Sequence, residues 1–120
     1  MNHFNVLTDD VEATRRFYCD VLGLEQGERP AFAFDGLWLY AGGRPILHVS
    51  ARALPKKEEG VIDHIAFTCT DLRATTTRLE AHGVKFSLGR QVSTGIWQLF
   101  CRDPMGARVE LDFDPAEAAP

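Results

Sequence analysis

No apolar run in the 120-residue chain approaches the roughly 20 residues that a bilayer-spanning helix needs, so no membrane span is expected. Runs of lysine or arginine are also missing, and the formal net charge is -4. Without a basic face there is no electrostatic footprint for nucleic acid, and the acidic balance disfavours anionic membranes. The first residues carry neither the basic nor the apolar region of a signal peptide, which leads to the expectation of a cytoplasmic address. Cysteine is scarce: Cys19, Cys69 and Cys101 are odd in number and form no CxxC pair. They read as small buried hydrophobes rather than as a disulfide framework or a redox motif. What is left is the composition of an ordinary globular domain, 45% hydrophobic and 25% charged.

What the chain does contain is a faint duplication that repeats a histidine. The segment HFNVLTDDVEAT begins at His3, and HIAFTCTDLRAT begins at His64. In that register His3 lies opposite His64, Thr8 opposite Cys69, Asp10 opposite Asp71, Ala13 opposite Ala74 and Thr14 opposite Thr75. Past a single-residue insertion RPILHV aligns with GARVEL, which sets His48 opposite Glu110. Each half therefore carries two potential metal ligands.

The first half reads as strand, helix and three strands. Residues 3–8 alternate, Asp9 and Glu12 have the spacing of a capping box, and Val11, Thr14, Phe17 and Val21 recur at helical spacing before Gly23. Apolar and aromatic segments follow at 24–29, 31–40 and 45–50, with Asp35-Gly36 and Gly42-Gly43 supplying turn or bulge chemistry. The second half repeats the order: strand over 61–70, helix over 72–82 closed by Gly83, and strands over 84–88, 95–101 and 107–113. Asp103-Pro104-Met105-Gly106 marks the last hairpin turn. The expected fold is α+β, two βαβββ modules with pseudo-twofold symmetry whose curved, mainly antiparallel sheets form a metal-binding cavity. Module 1 spans about 1–51 and module 2 about 61–114 of a single domain. An exposed connector at about 52–60 holds Pro55 and four consecutive charges, and the tail at 115–120 is too polar to pack and is expected to fray.

Strand alternation sharpens the argument. Phe4 and Val6 oppose His3 and Asn5; Leu47 and Val49 oppose His48; Ile65 and Phe67 oppose His64; Val109, Leu111 and Phe113 oppose Glu110. In all four strands the apolar face is free to cover a helix, and the ligand-type residue falls on the other side. Three imidazoles and a carboxylate suit a divalent transition metal, Fe, Ni, Co, Mn or Zn, better than calcium or magnesium. A six-coordinate ion would keep two positions for a bidentate small-molecule substrate, whereas a tetrahedral zinc holding all four would be structural; the residues alone admit both. Asn5, on the face of His3, and Tyr40 and Gln98, with polar tips, are the candidates for substrate contact. Trp38, Trp97 and Phe100 read mainly as core aromatics, and His82 reads as an exposed helix end.

The motifs H-F-N-V at the start, F-Y-C-D-V-L-G-L closing the first helix, D-H-I-A-F opening the second half and D-P-M-G-A-R-V-E-L near the end resemble the vicinal oxygen chelate superfamily. That group includes glyoxalase I, extradiol ring-cleaving dioxygenases, fosfomycin resistance proteins, methylmalonyl-CoA epimerase and metal-free bleomycin resistance proteins. The resemblance covers nearly the whole chain. It implies that His3, His64 and Glu110 fall on the metal positions shared by most metal-binding members. His48 falls where glyoxalase I has a glutamate or glutamine and where the dioxygenases supply no ligand. The leading implication is a metal-dependent, glyoxalase-like lyase or isomerase in which Glu110 is both a metal ligand and the one carboxylate left to carry the proton. The alternatives are an Fe(II) extradiol dioxygenase built on His3, His64 and Glu110, with His48 beside them as a catalytic acid or base, and a metal-free bleomycin-resistance-like binding protein. Fosfomycin transfer is the weaker implication, because LDFDPAEAAP after Glu110 offers no arginine for a phosphonate. Members of this size often pair their modules across a dimer, so the resemblance also implies a homodimer.

Overall fold

The structure is a computed structural model that describes residues 2–54, 62, 64–92 and 94–120. The chain divides into two compact units, Met1–Glu58 and Glu59–Pro120. Most of the connector expected at 52–60, and the residues Val61 and Asp63 of the expected fifth strand, lie outside the described residues.

The first unit runs β1 (Phe4–Thr8), α1 (Val11–Arg15) continued by a π-helical stretch (Arg16–Val21), β2 (Glu25–Gly27), β3 (Gly36–Ala41) and β4 (Arg44–Ala51). Its sheet has the order β1-β4-β3-β2, with β1 parallel to β4 and the other pairs antiparallel. The second unit repeats this as β5 (Ile65–Thr68), α2 (Leu72–Ala81), β6 (Phe86–Arg90), β7 (Trp97–Arg102) and β8 (Arg108–Phe113), ordered β5-β8-β7-β6. Both units are βαβββ modules, each with a four-stranded mixed sheet, so the expected fold class holds. Among the described residues no helix is long and apolar enough to cross a membrane.

The duplication is visible in the helix caps. Asp10 accepts from the backbone N–H of Ala13 at 2.9 Å, and Asp71 accepts from that of Ala74 at 3.0 Å, each relieving an unpaired donor of the first turn. The capping box expected between Asp9 and Glu12 does not form. Asp10 holds the extended cap conformation (φ -136°, ψ 91°), and the Glu12 carboxylate turns to Arg15 at 2.9 Å. Nor is the first helix α-helical to its end. Its π-helical stretch takes an extra residue per turn, which brings Phe17, Tyr18 and Val21 all into the core. At the end of α2, Gly83 (φ 67°) lets Val84 N–H reach the Leu79 carbonyl at 2.9 Å, a Schellman closure.

Several strands are shorter than the apolar segments suggest. The segment 31–40 enters the sheet only at Gly36, and 61–70 is strand over Ile65–Thr68 alone. The two-residue loop Gly42-Gly43, both at positive φ, closes the β3–β4 hairpin. Between β7 and β8 the Asp103 carboxylate accepts from Met105 and Ala107 N–H, each at 2.9 Å. Of the expected apolar faces, Val6, Leu47, Val49, Val109, Leu111 and Phe113 are buried, joined in the cores by Leu39, Leu72, Leu79 and Leu99, while Phe4, Ile65 and Phe67 are half-buried. Only Cys101 is fully buried; Cys19 and Cys69 are half-buried, and all three are free thiols.

The tail corrects another expectation, because it is pinned. The Glu117 carboxylate accepts from the N–H groups of Asp71 (3.1 Å) and Leu72 (2.6 Å), and Trp97 Nε1 donates to the Glu117 carbonyl at 2.9 Å. A carboxylate at a helix N-terminus satisfies donors that the helix cannot and meets the positive end of its dipole. Replacing Glu117 with alanine is expected to cost about 1–2 kcal/mol. Urea unfolding checks this, and a midpoint unchanged from the parent would show that the tail holds nothing.

Candidate metal centre

In the second unit β5 and β8 run parallel with Ala66 opposite Glu110, so His64, two residues before Ala66, shares the face of Glu110. Glu110 sits between the core residues Val109 and Leu111 and is only 6% exposed. A carboxylate so placed must be paired. Its Oε2 lies 2.7 Å from His64 Nε2, and its Oε1 accepts from Gln98 Nε2 at 2.5 Å. The Phe100 ring stands edge-on to His64 with centroids 5.9 Å apart, and the Arg108 guanidinium lies over Phe100 at 4.4 Å. Asp112, one step further along the same face, has a buried Oδ1 that finds no hydrogen-bond partner.

The first unit presents the equivalent positions. Asn5 pairs with His48 across β1 and β4, which sets His3 and His48 on one face. Their rings stack with centroids 4.0 Å apart and planes 20° apart. Trp38, opposite His48 in β3, covers the other face of the same imidazole at 4.1 Å and 2°. Desolvation, helped by the neighbouring His3, lowers the His48 pKa, so His48 presents a neutral imidazole at neutral pH.

Asn5 accepts from Ser50 Oγ at 2.9 Å. Tyr40 donates its hydroxyl to the Glu28 carbonyl at 2.8 Å, and its ring lies over Gly27, where an added Cβ would meet it at 2.5 Å. Tyr40 and Trp38 line a groove of about 480 Å³ with Glu28, Arg29 and Pro30. Gln98, the third candidate for substrate contact, donates its Nε2 to Glu110. His82 lies exposed at the C-terminus of α2, as its sequence position suggested. Burial pushes the Cys69 and Cys101 thiols up to about 11, so neither offers a thiolate at neutral pH.

The four ligand-type residues thus come as two pairs, one in each unit, and among the described residues neither unit gathers a third such group. The donor chemistry of both pairs suits a transition ion. Metal–ligand bonds of about 2.0–2.2 Å meeting near a right angle separate their donor atoms by about 3 Å. The His64–Glu110 pair, at 2.7 Å, needs only a few tenths of an ångström of further separation to admit an ion. The stacked His3 and His48 present faces to each other, and one ring must tip before both point at the same ion. The Trp38 stack was not legible beforehand, since only the β3–β4 register brings that ring onto His48.

The two βαβββ modules define the class, an α+β protein of two repeated units with open, four-stranded mixed sheets. Residues 1–111 match the Glyoxalase/Bleomycin resistance protein/Dioxygenase superfamily, and the chain belongs to it. The protein named Glyoxylase I 4 of Arabidopsis thaliana is 32% identical over 119 residues, covering 92% of this chain and 68% of that one. A glyoxalase/dioxygenase from Nostoc punctiforme has a TM-score of 0.79 at 21% identity, covering 95% of this chain and 90% of that chain. A mutant of the fosfomycin resistance protein FosX from Listeria monocytogenes, complexed with Mn(II) and 1S,2S-dihydroxypropylphosphonic acid, has a TM-score of 0.78 at 16% identity. That match covers 95% of this chain and 91% of FosX. At such identities the two structures speak for the fold alone.

Proposed function

We propose that the chain is a metal-dependent enzyme that binds a small substrate through two neighbouring oxygens and performs glyoxalase-like lyase or isomerase chemistry. The observation that carries this reading is the buried Glu110 carboxylate held 2.7 Å from the exposed His64 imidazole, matched at the equivalent strand positions by His3 and His48. Those four residues are the proposed ligands for a divalent transition ion, Fe, Ni, Co, Mn or Zn, whether they meet within one chain or across a dimer. When bound, the ion would supply Lewis-acid polarisation of a substrate oxygen. Glu110 Oε2, the oxygen that faces His64, takes up and returns the substrate proton. Asn5 orients the substrate from beside His3, and the groove at Trp38 and Tyr40 takes the part of the substrate remote from reaction. A homodimer is the proposed working form, checked by light scattering at twice the mass of the chain.

One observation favours a second reading. The Trp38–His48–His3 stack clamps His48, leaving His3, His64 and Glu110 as a two-histidine, one-carboxylate set for Fe(II), with His48 as a neighbouring acid or base in ring cleavage of a catechol-like diol. Metal analysis by mass spectrometry on anaerobically purified protein separates the readings. About one ion per proposed site is expected. Nickel, cobalt, manganese or zinc supports the lyase, whereas iron with oxygen uptake on adding catechol supports the dioxygenase. Protein that stays empty after incubation with each metal would overturn both and leave a drug-binding module as the better account.

A further inference from the structure

The two modules hold their ligand-type residues differently on equivalent positions. Cross-strand pairing sets Trp38 opposite His48 and Phe100 opposite Glu110, which makes Gly36 the counterpart of Gln98. Module 1 therefore has no side chain where module 2 has an amide, and its ligand-type residue is held by ring stacking instead. In module 2 Gln98 reaches diagonally across the β7–β8 pair to Glu110 Oε1 at 2.5 Å, while Oε2 faces His64 at 2.7 Å. The carboxylate is thereby split between two partners. One oxygen is tied to the fold and the other is turned to the chemistry.

We propose that Gln98 is a positioning residue: by donating Nε2 to Glu110 Oε1 it fixes the carboxylate so that Oε2 alone serves the ion and the substrate proton. The proposal rests on the metal-dependent reading above. A carboxylate with both oxygens free could rotate or chelate through the pair, and burial at 6% exposure would then leave one oxygen without a donor. Gln98 removes both alternatives. Its own backbone sits in the middle of a paired strand opposite Asp112, so the amide is carried by a rigid element.

Two readouts test this. In metal-free, isotope-labelled protein the Gln98 side-chain amide is expected to resonate apart from those of Gln26 and Gln91, and to move to the ordinary position in Glu110→Ala. An ordinary Gln98 resonance that Glu110→Ala leaves in place overturns the clamp. Gln98→Met keeps the length of the side chain and removes the donor. Its Co(II) dissociation constant is expected to rise about 10–100-fold, with a changed visible spectrum, while its thermal midpoint stays near that of the parent. A Gln98→Met variant that binds Co(II) with the parent's affinity and spectrum overturns the positioning role. If the parent itself takes up no Co(II), the metal-dependent reading fails and the role of Gln98 fails with it. The amide resonance would still report the hydrogen bond, so the two failures are distinguishable.

Discussion

His64→Ala is expected to lose bound metal by on the order of 100-fold or more in affinity and to abolish turnover under either enzyme reading. The imidazole does two jobs at that position. It supplies one donor atom, and it is the group 2.7 Å from Oε2 of a carboxylate that is almost fully buried. Alanine removes the donor and leaves Glu110 Oε2 without its imidazole partner, with Gln98 still donating to Oε1. His48→Ala is the informative contrast. If all four residues hold the ion, it also loses metal; if His48 stands beside a three-ligand set, metal is kept and only the rate falls. Metal content measured on the parent and both variants decides between them. A His64→Ala protein that keeps a full complement of metal would sink the site assignment.

Most of the fold was legible because strand alternation and helix caps are local. His3 and His64, Asp10 and Asp71, and His48 and Glu110 could be aligned from their flanking residues, and the faces assigned by period-two alternation are the faces found. What escaped depends on register between strands or on atoms distant in sequence. Nothing near Gln98 says that its amide meets Glu110, since that follows from the β7–β8 pairing. The same holds for Trp38 on His48, and for Glu117, which finds the N-terminus of α2 some 45 positions earlier in the chain. The choice of Asp10 over Asp9 as the cap turned on one residue's backbone angles, which two adjacent aspartates do not reveal.

Gly36→Ala is expected to be the most damaging single-methyl change in the first unit. Gly36 opens β3 opposite Ser50, its N–H bonded to Asp35 Oδ1 at 2.8 Å. A Cβ there would sit 2.1 Å from the carbonyl oxygen of Val49, inside any tolerable contact, and backbone in the middle of a sheet cannot swing aside as a side chain can. Relief requires β3 to lift from β4, and that strand pair is what lays Trp38 on His48. The cost is expected at the upper end of the roughly 1–3 kcal/mol typical of overpacking, with loss of the ring stack. Gly89 in β6 provides the control, because an added Cβ meets nothing within 4 Å and its φ is not positive. Gly89→Ala should change stability by no more than about 0.5 kcal/mol. Denaturant midpoints for the two variants measure the contrast, and Trp38 fluorescence in a Trp97→Phe background reports whether the indole leaves His48. Equal midpoints would mean that β3 does not enter the sheet at Gly36, and the pairing that positions His48 would have to be redrawn.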